Sequence, residues 1–584
     1  MRLSRIQSRW LLAGLLVPIG IAAQAPSASL KEADADYREG VAALNRNDLA
    51  AAQAKFEAVT RLAPSAGQGH SALGAVLVRE GQWAAGIREL EKALSLKPGD
   101  SSAQMNLAMA YSQTGAPAKA IPLFAKLEAA TPHQPLPSAV LAAYARALAA
   151  IGQKTAATAK MKAALGQEPN SADLHDELGS LYAQQKDWPQ ARQEFSEAIR
   201  LNDSFAEAHL HLGFVCQAEQ DPQAPAEWAK AASLAPSDPA INLAAGKALA
   251  EAGQEDQALP ILQLAVALEP NSPQASYQLA VVLQRTGHVA DAIPLLKRVA
   301  EANPENSEAL TNLGVALTQQ HQATDAIPYL QQAIALTPQN ATAHQDLAAA
   351  YLQINQVADA ITQLKAAISI APDTAQTHYD LGVAYKLQDD AIDAIPELEK
   401  ASRLNPESYE APYVLGLLYM QVARYAEAAQ QLETSLKLHP ENGDAWATLG
   451  SVYNKLDRLP DAVRALKEAI RLLPDQADSH LILASVLVKQ NQAAEAAAER
   501  KLAADLMRTH MNFQRAEVAT NSGKTLLSSG KLDDAIAQFR NALSFDATYS
   551  EAHAALAEAL EKQGKTAEAE AERAQARSLL KSAQ

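Results

Sequence analysis

Thirteen histidines are the side chains of this sequence best suited to bind a metal ion or to transfer protons. Equivalent positions of adjacent helical repeats should lie about 10 Å apart, one helix spacing. Two ligands of one zinc ion must instead bring ring nitrogens within about 2.1 Å of the same ion. We therefore predict a packing role, and no metal site, for the seven histidines that share one position of a repeated pattern, namely His70, His175, His209, His344, His378, His480 and His553.

Two short motifs and one thiol also bear on chemistry. Gly523–Thr525 and Gly564–Thr566 resemble the end of a phosphate-binding loop, but Val518 and Ala559 stand where such a loop needs its first glycine. Cys216 is the only cysteine, which excludes an intramolecular disulfide framework, and we expect a buried thiol. No stretch outside the repeated pattern exceeds about ten residues, so a catalytic module has no room. We predict that the protein is not an enzyme and uses no cofactor.

Composition narrows the class of protein further. The chain has 584 residues, is 48% hydrophobic and carries a formal net charge of −16. This hydrophobic content predicts a folded chain rather than a disordered one. The acidic balance argues against a nucleic-acid partner, whose phosphates require Lys and Arg, and against a basic patch for anionic membranes.

The N-terminus has the layout of a secretory signal peptide. Three arginines within residues 1–9 precede the apolar run Trp10–Ala23, and small residues follow. We expect cleavage after Ala23, because a cut after Ala25 would leave Pro26 at the first mature position. The segment 1–23 would thus be the signal peptide, 24–32 a linker, and the mature protein periplasmic or extracellular without membrane insertion. An uncleaved anchor is the alternative, although a spanning helix needs about 20 apolar residues.

A 34-residue period organises the rest of the chain. Seven consecutive intervals of 34 residues separate Pro236 from Pro474. With this proline as position 32, sixteen repeats fit between Ala33 and the C-terminus, and position 8 is Gly or Ala in every one. Each repeat holds two apolar runs with helical spacing, and the proline ends the second run. The pattern predicts an all-α chain of helix–turn–helix repeats.

This pattern closely resembles the tetratricopeptide repeat family. In the repeat that ends at Pro440, the family's Leu, Gly or Ala, Tyr and Ala positions are occupied by Leu415, Gly416, Tyr419 and Ala428. The resemblance covers residues 33–584 and recurs sixteen times. It implies a right-handed α-solenoid superhelix in which the first helix of each repeat lines a concave groove.

The C-terminal part departs from the regular pattern. Residues 33–510 form repeats 1–14, and 511–584 form a C-terminal repeat pair with a solvating last helix. Residues 506–521 blur the first-helix pattern, which indicates either a lengthened helix or a register break. In the last helix, Ala567–Lys581, charged residues alternate with Ala, as suits a polar cap.

The resemblance also implies which side chains face the groove. Positions 5, 9 and 12 form an apolar and aromatic stripe: Leu210, Phe214, Tyr277, Val281, Val315, Tyr379, Val383, Tyr413, Leu417 and Met420. Position 6 adds three acids, Glu177, Asp346 and Asp380. The alternative is that these side chains only pack between neighbouring first helices. Because an exposed apolar stripe marks a binding site, we expect the groove to hold apolar or basic extended segments.

Three functions are consistent with such a surface. The first is a non-catalytic exported scaffold that binds protein or peptide segments during assembly of an envelope or secretion complex. The second is an accessory role in exopolysaccharide synthesis or export, with glycan stacked on tyrosines such as Tyr277, Tyr379 and Tyr413, or with a glycosyltransferase as partner. The third, an enzyme, is disfavoured by the absence of a module outside the repeats.

Overall fold

A computed structural model describes residues 28–131 and 134–582, and every regular element within these ranges is an α-helix. The predicted signal peptide and residues 24–27 lie outside the described residues. The first helix begins at Ala28, so residues 28–32 of the predicted linker are helical. In the described part, no helix combines the length and apolar character that a membrane span requires.

The chain divides into two units, and the first comprises residues 1–303. Its described helices pair in sequence as eight helix–turn–helix repeats: α1 (Ala28–Asn45), α2 (Leu49–Leu62), α3 (Gly67–Arg79), α4 (Trp83–Leu96), α5 (Ser101–Gln113), α6 (Pro117–Ala130), α7 (Ser138–Ala150), α8 (Lys154–Gln167), α9 (Ala172–Gln184), α10 (Trp188–Leu201), α11 (Ala206–Ala218), α12 (Ala224–Leu234), α13 (Pro239–Glu251), α14 (Glu255–Leu268), α15 (Pro273–Arg285) and α16 (Val289–Ala302).

The second unit comprises residues 304–584. Its described helices are α17 (Ser307–Gln319), α18 (Ala323–Leu336), α19 (Ala341–Gln353), α20 (Val357–Ile370), α21 (Ala375–Leu387), α22 (Ala391–Leu404), α23 (Glu410–Gln421), α24 (Tyr425–Leu438), α25 (Gly443–Lys455), α26 (Leu459–Leu472), α27 (Ala477–Lys489), α28 (Ala493–Ser528), α29 (Leu532–Phe545), α30 (Ser550–Lys562) and α31 (Thr566–Ser582). The all-α solenoid predicted from the sequence is confirmed, while the hand of its superhelix stays a prediction.

Local contacts and backbone conformation set the start of each repeat and the turn between its two helices. Asn306, Asn340 and Asn442 precede first helices, and their side chains accept the backbone N–H three residues on at 3.0–3.2 Å. These bonds satisfy donors that a helix start leaves unpaired. At the turn between the two helices of a repeat, one residue takes a positive φ, for example Gly287 at 80° and Ala423 at 59°.

Small residues let the two helices of a repeat approach closely. At Gly416 an added Cβ would lie 2.5 Å from Cγ of Leu432, which is fully buried on the second helix. Hydrogen bonds then join successive repeats: the Tyr419 hydroxyl donates to Glu399 at 2.5 Å, and the Tyr453 hydroxyl donates to Glu433 at 2.6 Å. The glycine at position 8 therefore sets the packing inside a repeat, and the tyrosine at position 11 bonds to the repeat before it.

The irregular segment 506–521 lies in one uninterrupted helix. Of the two alternatives, the lengthened helix is confirmed, because α28 runs for 36 residues, about 54 Å. Its first part is the second helix of repeat 14, and its last part is the first helix of repeat 15. The core follows this division: one large cluster of buried side chains ends at Ala496, and separate clusters begin at Ala516 and Leu527.

Candidate functional site

The repeated histidines are held by their own repeats. In six of the seven, Nδ1 lies 2.5–2.7 Å from a glutamate oxygen on the second helix of the same repeat, as in His378 with Glu397. The other ring nitrogen of His378 faces the Pro372 carbonyl at 2.9 Å. His344 makes the same two contacts with Gln363 in place of the glutamate. These contacts match the packing role predicted from the sequence.

One further histidine pairs across adjacent first helices. His211 Nδ1 lies 2.8 Å from an oxygen of Asp176. Burial by itself would lower the pKa of His211, but the contact with Asp176 outweighs it, so the pKa is raised. In the described part of the chain, no three His, Cys, Asp or Glu side chains converge as a metal site would require.

The two short motifs lie in structural positions. Lys524 pairs with the carboxylate of Glu551, and the Thr525 hydroxyl donates to the Asn521 carbonyl within α28 at 3.1 Å. Gly564, with φ of 83°, forms the turn between α30 and α31. Cys216 is 1% exposed, and burial raises the pKa of its thiol.

In the first unit, the predicted groove residues divide by exposure. Leu210 on α11 is 8% exposed and so belongs to the core rather than to an open groove. Phe214 is 41% exposed, and its ring centroid lies 5.6 Å from that of Trp228. Tyr277 and Val281 on α15 are half-buried. Of the predicted stripe in this unit, Phe214 is the most open side chain.

In the second unit, the predicted stripe forms part of one surface. We define the first-helix face as the side chains of α17, α19, α21, α23 and α25 that are not fully buried. Its predicted members are all half-buried, with part of each side chain open to solvent: Val315, Tyr379, Val383, Tyr413, Leu417 and Met420. Tyr379, Tyr413 and Met420 also pack against the core cluster, so each is shared between core packing and the open surface.

The three predicted acids have different surroundings. Arg146 donates to the Glu177 carboxylate from Nε at 2.8 Å and from Nη2 at 2.7 Å, which compensates the charge of Glu177. Asp380 accepts hydrogen bonds from the side chains of Gln345 and Gln376, each at 2.8 Å, and burial raises its pKa. Asp346 has no hydrogen-bond or ion-pair partner among the described residues, and burial raises its pKa to about 6.

A cavity of about 260 Å³ opens where α21, the end of α22 and the start of α23 meet. Tyr379 and Gln376 of α21, Ser408 of the following loop and Glu410 of α23 contribute to its lining. The Ser408 hydroxyl donates to Glu410 at 2.5 Å and so orients the carboxylate. Burial, followed by the nearby charges of Glu410 and Asp380, raises the pKa of Tyr379. The phenol therefore stays protonated at neutral pH, as a neutral aromatic wall beside an anionic group.

Charge is distributed unevenly along the first-helix face. The first seven residues of the five helices contain no Lys or Arg but one acid each: Glu308, Asp346, Asp380, Glu410 and Asp444. Lys386 and Lys455 lie in the last turns of α21 and α25. One edge of the face is therefore acidic, beside the apolar and aromatic stripe.

Sequence reasoning missed several members of this site. Gln345 and Gln376 orient Asp380, while Ser408 and Asn405 line the cavity from the end of the repeat. Each stands at a position whose residue type varies between repeats, so the periodic pattern carried no signal for them. Glu410 belongs to the acids of position 2, which helix N-termini favour in any case.

A chain of short antiparallel helix pairs stacked in sequence defines an α-solenoid, a class of protein whose extended surface serves recognition. Models of the tetratricopeptide repeat match residues 77–144 and 249–313, and another matches 179–220 and 523–564. A model described as the C-terminal domain of cilia and flagella-associated protein 70 matches residues 297–517. The chain belongs to the tetratricopeptide repeat proteins, and its repeats place it among protein-binding scaffolds.

Solved structures of this class resemble the chain. The hetero-tetramer Cut9–Hcn1 of the APC/C is 16% identical, with 84% of this chain and 96% of that chain covered and a TM-score of 0.30. YrrB, a TPR protein with an unusual peptide-binding site, is 22% identical over 32% and 96%, with a TM-score of 0.29. MamA from Desulfovibrio magneticus RS-1 is 24% identical over 29% and 96%, with a TM-score of 0.28. No curated protein matches the sequence.

Proposed function

We propose that this chain is an exported, non-catalytic scaffold that holds an extended segment of a partner protein on the first-helix face of residues 307–455, during assembly of an envelope or secretion complex. One observation carries the proposal: a half-open apolar and aromatic stripe runs beside an acidic edge that lacks Lys and Arg. Export is supported by the arginines, apolar run and small residues at 1–25.

The acidic edge favours a basic segment. Asp346 is partly desolvated and unpaired among the described residues, so a cation placed beside it would recover interaction energy that water no longer supplies. At the cavity, the oriented carboxylate of Glu410 and the ring of Tyr379 suit a guanidinium, which can pair with the first and stack on the second. Apolar side chains of the same segment would pack on Tyr413 and Leu417.

Binding is tested with synthetic peptides and one triple variant. The three peptides share alternating Leu and Tyr and differ only in carrying Arg, citrulline or Glu between them. We expect the Arg peptide to bind most tightly in a fluorescence anisotropy titration, and Tyr379→Ser, Tyr413→Ser and Leu417→Ser together to abolish binding. Helical content by circular dichroism should be unchanged, because the three side chains are only half-buried.

A matched triple variant controls for surface polarity. Ile392, Leu336 and Leu438 are 85%, 40% and 38% exposed and lie on second helices, so their replacement by Ser should leave binding intact. Retained binding by the first triple variant would refute the placement on the first-helix face. Equal binding of all three peptides would refute the acidic edge as the source of selectivity.

Export is tested separately. Protein purified from the producing cells should begin at Gln24, as N-terminal sequencing or intact mass would show. A chain that retains Met1–Ala23 and fractionates with membranes would instead indicate the uncleaved anchor, and a full-length chain in the cytoplasm would refute export.

A further inference from the structure

The fused helix α28 leaves two repeat surfaces without a covering neighbour. In repeats 9–13, positions 17, 21 and 28 of the second helix face the next repeat and are buried or half-buried, as in Leu459, Val463 and Ile470. In repeat 14 the same positions lie on α28 and are exposed. They are Ala493, Ala497 and Ala504. The next first helix cannot cover them, because it is the continuation of α28 itself.

The start of repeat 15 is uncovered in the same way. Positions 3, 7 and 10 of a first helix normally lie against the preceding repeat, and in repeat 13 Ala445, Leu449 and Val452 are at most 2% exposed. In repeat 15 the same positions are Val518, Ser522 and Thr525, all exposed, with Val518 at 69%. Two surfaces that neighbouring helices cover elsewhere are therefore open here.

Both surfaces lie on the same side of α28. Residues 493, 497, 504, 511, 518, 522 and 525 are separated by three, four or seven positions, so they follow one stripe along the helix. Met507 and Met511 lie between the two surfaces on this stripe and are 41% and 47% exposed. The open stripe is about 50 Å long. A single helix laid along it would complete repeats 14 and 15 at once.

The last repeat provides a comparison for these positions. In the last repeat, positions 17, 21 and 28 are Thr566, Glu570 and Arg577, all exposed and all polar. The corresponding side chains on α28 are alanine, methionine and valine, with Ser522 and Thr525 as the polar exceptions. Small residues permit close helix contact, and methionine adapts to irregular partners.

Four basic side chains and one acid, Asp505, lie along or beside the stripe. Arg500, Lys501, Arg508 and Arg515 project within the same sector of the helix, and all four are exposed. Arg508 contacts Asp505 at 3.3 Å, and the Arg515 guanidinium lies 5.7 Å from the ring centroid of Phe545. Within a chain of net charge −16, this is a local basic surface.

From this surface we infer that an acidic amphipathic helix of a partner protein docks along α28, with apolar side chains on Met507, Met511 and Val518 and carboxylates against Arg500, Lys501, Arg508 and Arg515. The occupant is a helix because both ends of the stripe are surfaces that helices cover in other repeats. It is acidic because four basic side chains outnumber the single acid Asp505 beside the stripe. An anionic bilayer fits less well, since Asp505 and Glu517 project from sectors of α28 that flank the stripe.

A designed helix provides the first test on the full chain. The probe is a labelled peptide of about four heptads with Leu in its seam and Glu at the flanking positions, compared with the same peptide carrying Lys. We expect the Glu peptide to bind about tenfold more tightly at low salt, with the difference falling as salt rises. Met507→Asp with Met511→Asp should abolish binding, because the pair would place two uncompensated carboxylates in the apolar contact.

Matched variants distinguish binding at the stripe from a general effect of surface charge. Arg500→Glu with Arg508→Glu should reverse the peptide preference, whereas Lys437→Glu with Lys467→Glu, exposed on other second helices, should not. All these side chains are exposed, so circular dichroism should show a folded protein in each case. Equal binding of both peptides, or binding unaffected by the methionine pair, would overturn the proposal.

A photo-crosslinker at Met511 tests the natural partner. In the producing cells, crosslinks from this site should map to an acidic amphipathic helix of another protein. The same crosslinker at Leu580, which is 58% exposed on α31, gives the background. Crosslinks to lipid or to a second copy of this chain, or none above that background, would overturn the assignment.

Discussion

Repeats 9–13 and the junction between repeats 14 and 15 are built from the same 34-residue pattern but connect neighbouring repeats in opposite ways. In repeats 9–13 a loop follows each second helix, so the next first helix turns back and covers the repeat before it. At the junction α28 continues without a loop for 36 residues, so the covering helix is missing. One change in the connection exposes the same repeat positions that are buried elsewhere.

The two regions also differ in charge and in the form of ligand they suit. The first-helix face has an acidic edge beside half-buried tyrosines, and it suits an extended basic segment. The open stripe of α28 is bordered by Arg and Lys and suits an acidic helix. The two proposed binding surfaces therefore call for partner segments of opposite charge.

The prediction with the largest expected effect tests whether the hydrophobic core is divided at the junction between repeats 14 and 15. Phe539 is fully buried in the cluster of α28–α31, where its ring packs on Gly523. We expect Phe539→Ala to cost about 3–5 kcal/mol. Because this cluster is separate from the one that ends at Ala496, the loss of protection in hydrogen exchange should stay within residues 516–582.

A substitution in the regular region provides the comparison. Leu432 occupies the same repeat position as Phe539 but belongs to the large continuous cluster. Leu432→Ala should cost about 2–5 kcal/mol and reduce protection across several neighbouring repeats. If Phe539→Ala instead reduced protection across repeats 10–13 to the same extent, the junction would not be a boundary in the core.

The sequence predicted the regular region well and the junction poorly, for a physical reason. Small residues at positions 8 and 20 and the proline at position 32 recur because every repeat must solve the same packing problem. Residues 506–521 showed only that the pattern was lost, and helical propensity could not distinguish a lengthened helix from a register shift. Asp346 was identified as a groove acid, but its lack of a partner depends on neighbouring side chains that vary between repeats.

A second prediction concerns close packing within a regular repeat. At Gly416 an added methyl group would lie 2.5 Å from Cγ of Leu432 and 2.8 Å from its Cδ2. We expect Gly416→Ala to destabilise the protein by about 1–3 kcal/mol in urea denaturation, because the second helix must move away.

Gly166 provides the control for that change. It lies in α8, and an added Cβ there would meet no atom within 4 Å. Gly166→Ala should be neutral or stabilise by up to about 1 kcal/mol, since Ala favours the helix. Equal effects at the two positions would mean that the close approach at Gly416 does not limit the size of the side chain.

The smallest expected effect is a pH dependence that belongs to the first-helix face alone. Burial raises the pKa of Asp346 from 3.8 to about 6, so the folded protein holds this proton more tightly than the unfolded chain does. Asp346 should therefore lower the stability as pH rises from about 4 to 6, and Asp346→Asn should remove that slope. Binding of the Arg peptide should change in the opposite direction, because the cation pairs with the ionised carboxylate.

Between pH 5 and 7, the ionised fraction of Asp346 rises from about one-tenth to about nine-tenths, so affinity for the Arg peptide should rise by up to about tenfold. Asp346→Asn should flatten the anisotropy titrations over this range, whereas Glu441→Gln, on the loop before α25, should not. The acidic helix on α28 should show no such rise, because its contacts are arginine and lysine side chains that stay charged throughout. If peptide binding at both surfaces changed with pH in the same way, the pH dependence would not originate at Asp346. The two surfaces would then not differ in this respect.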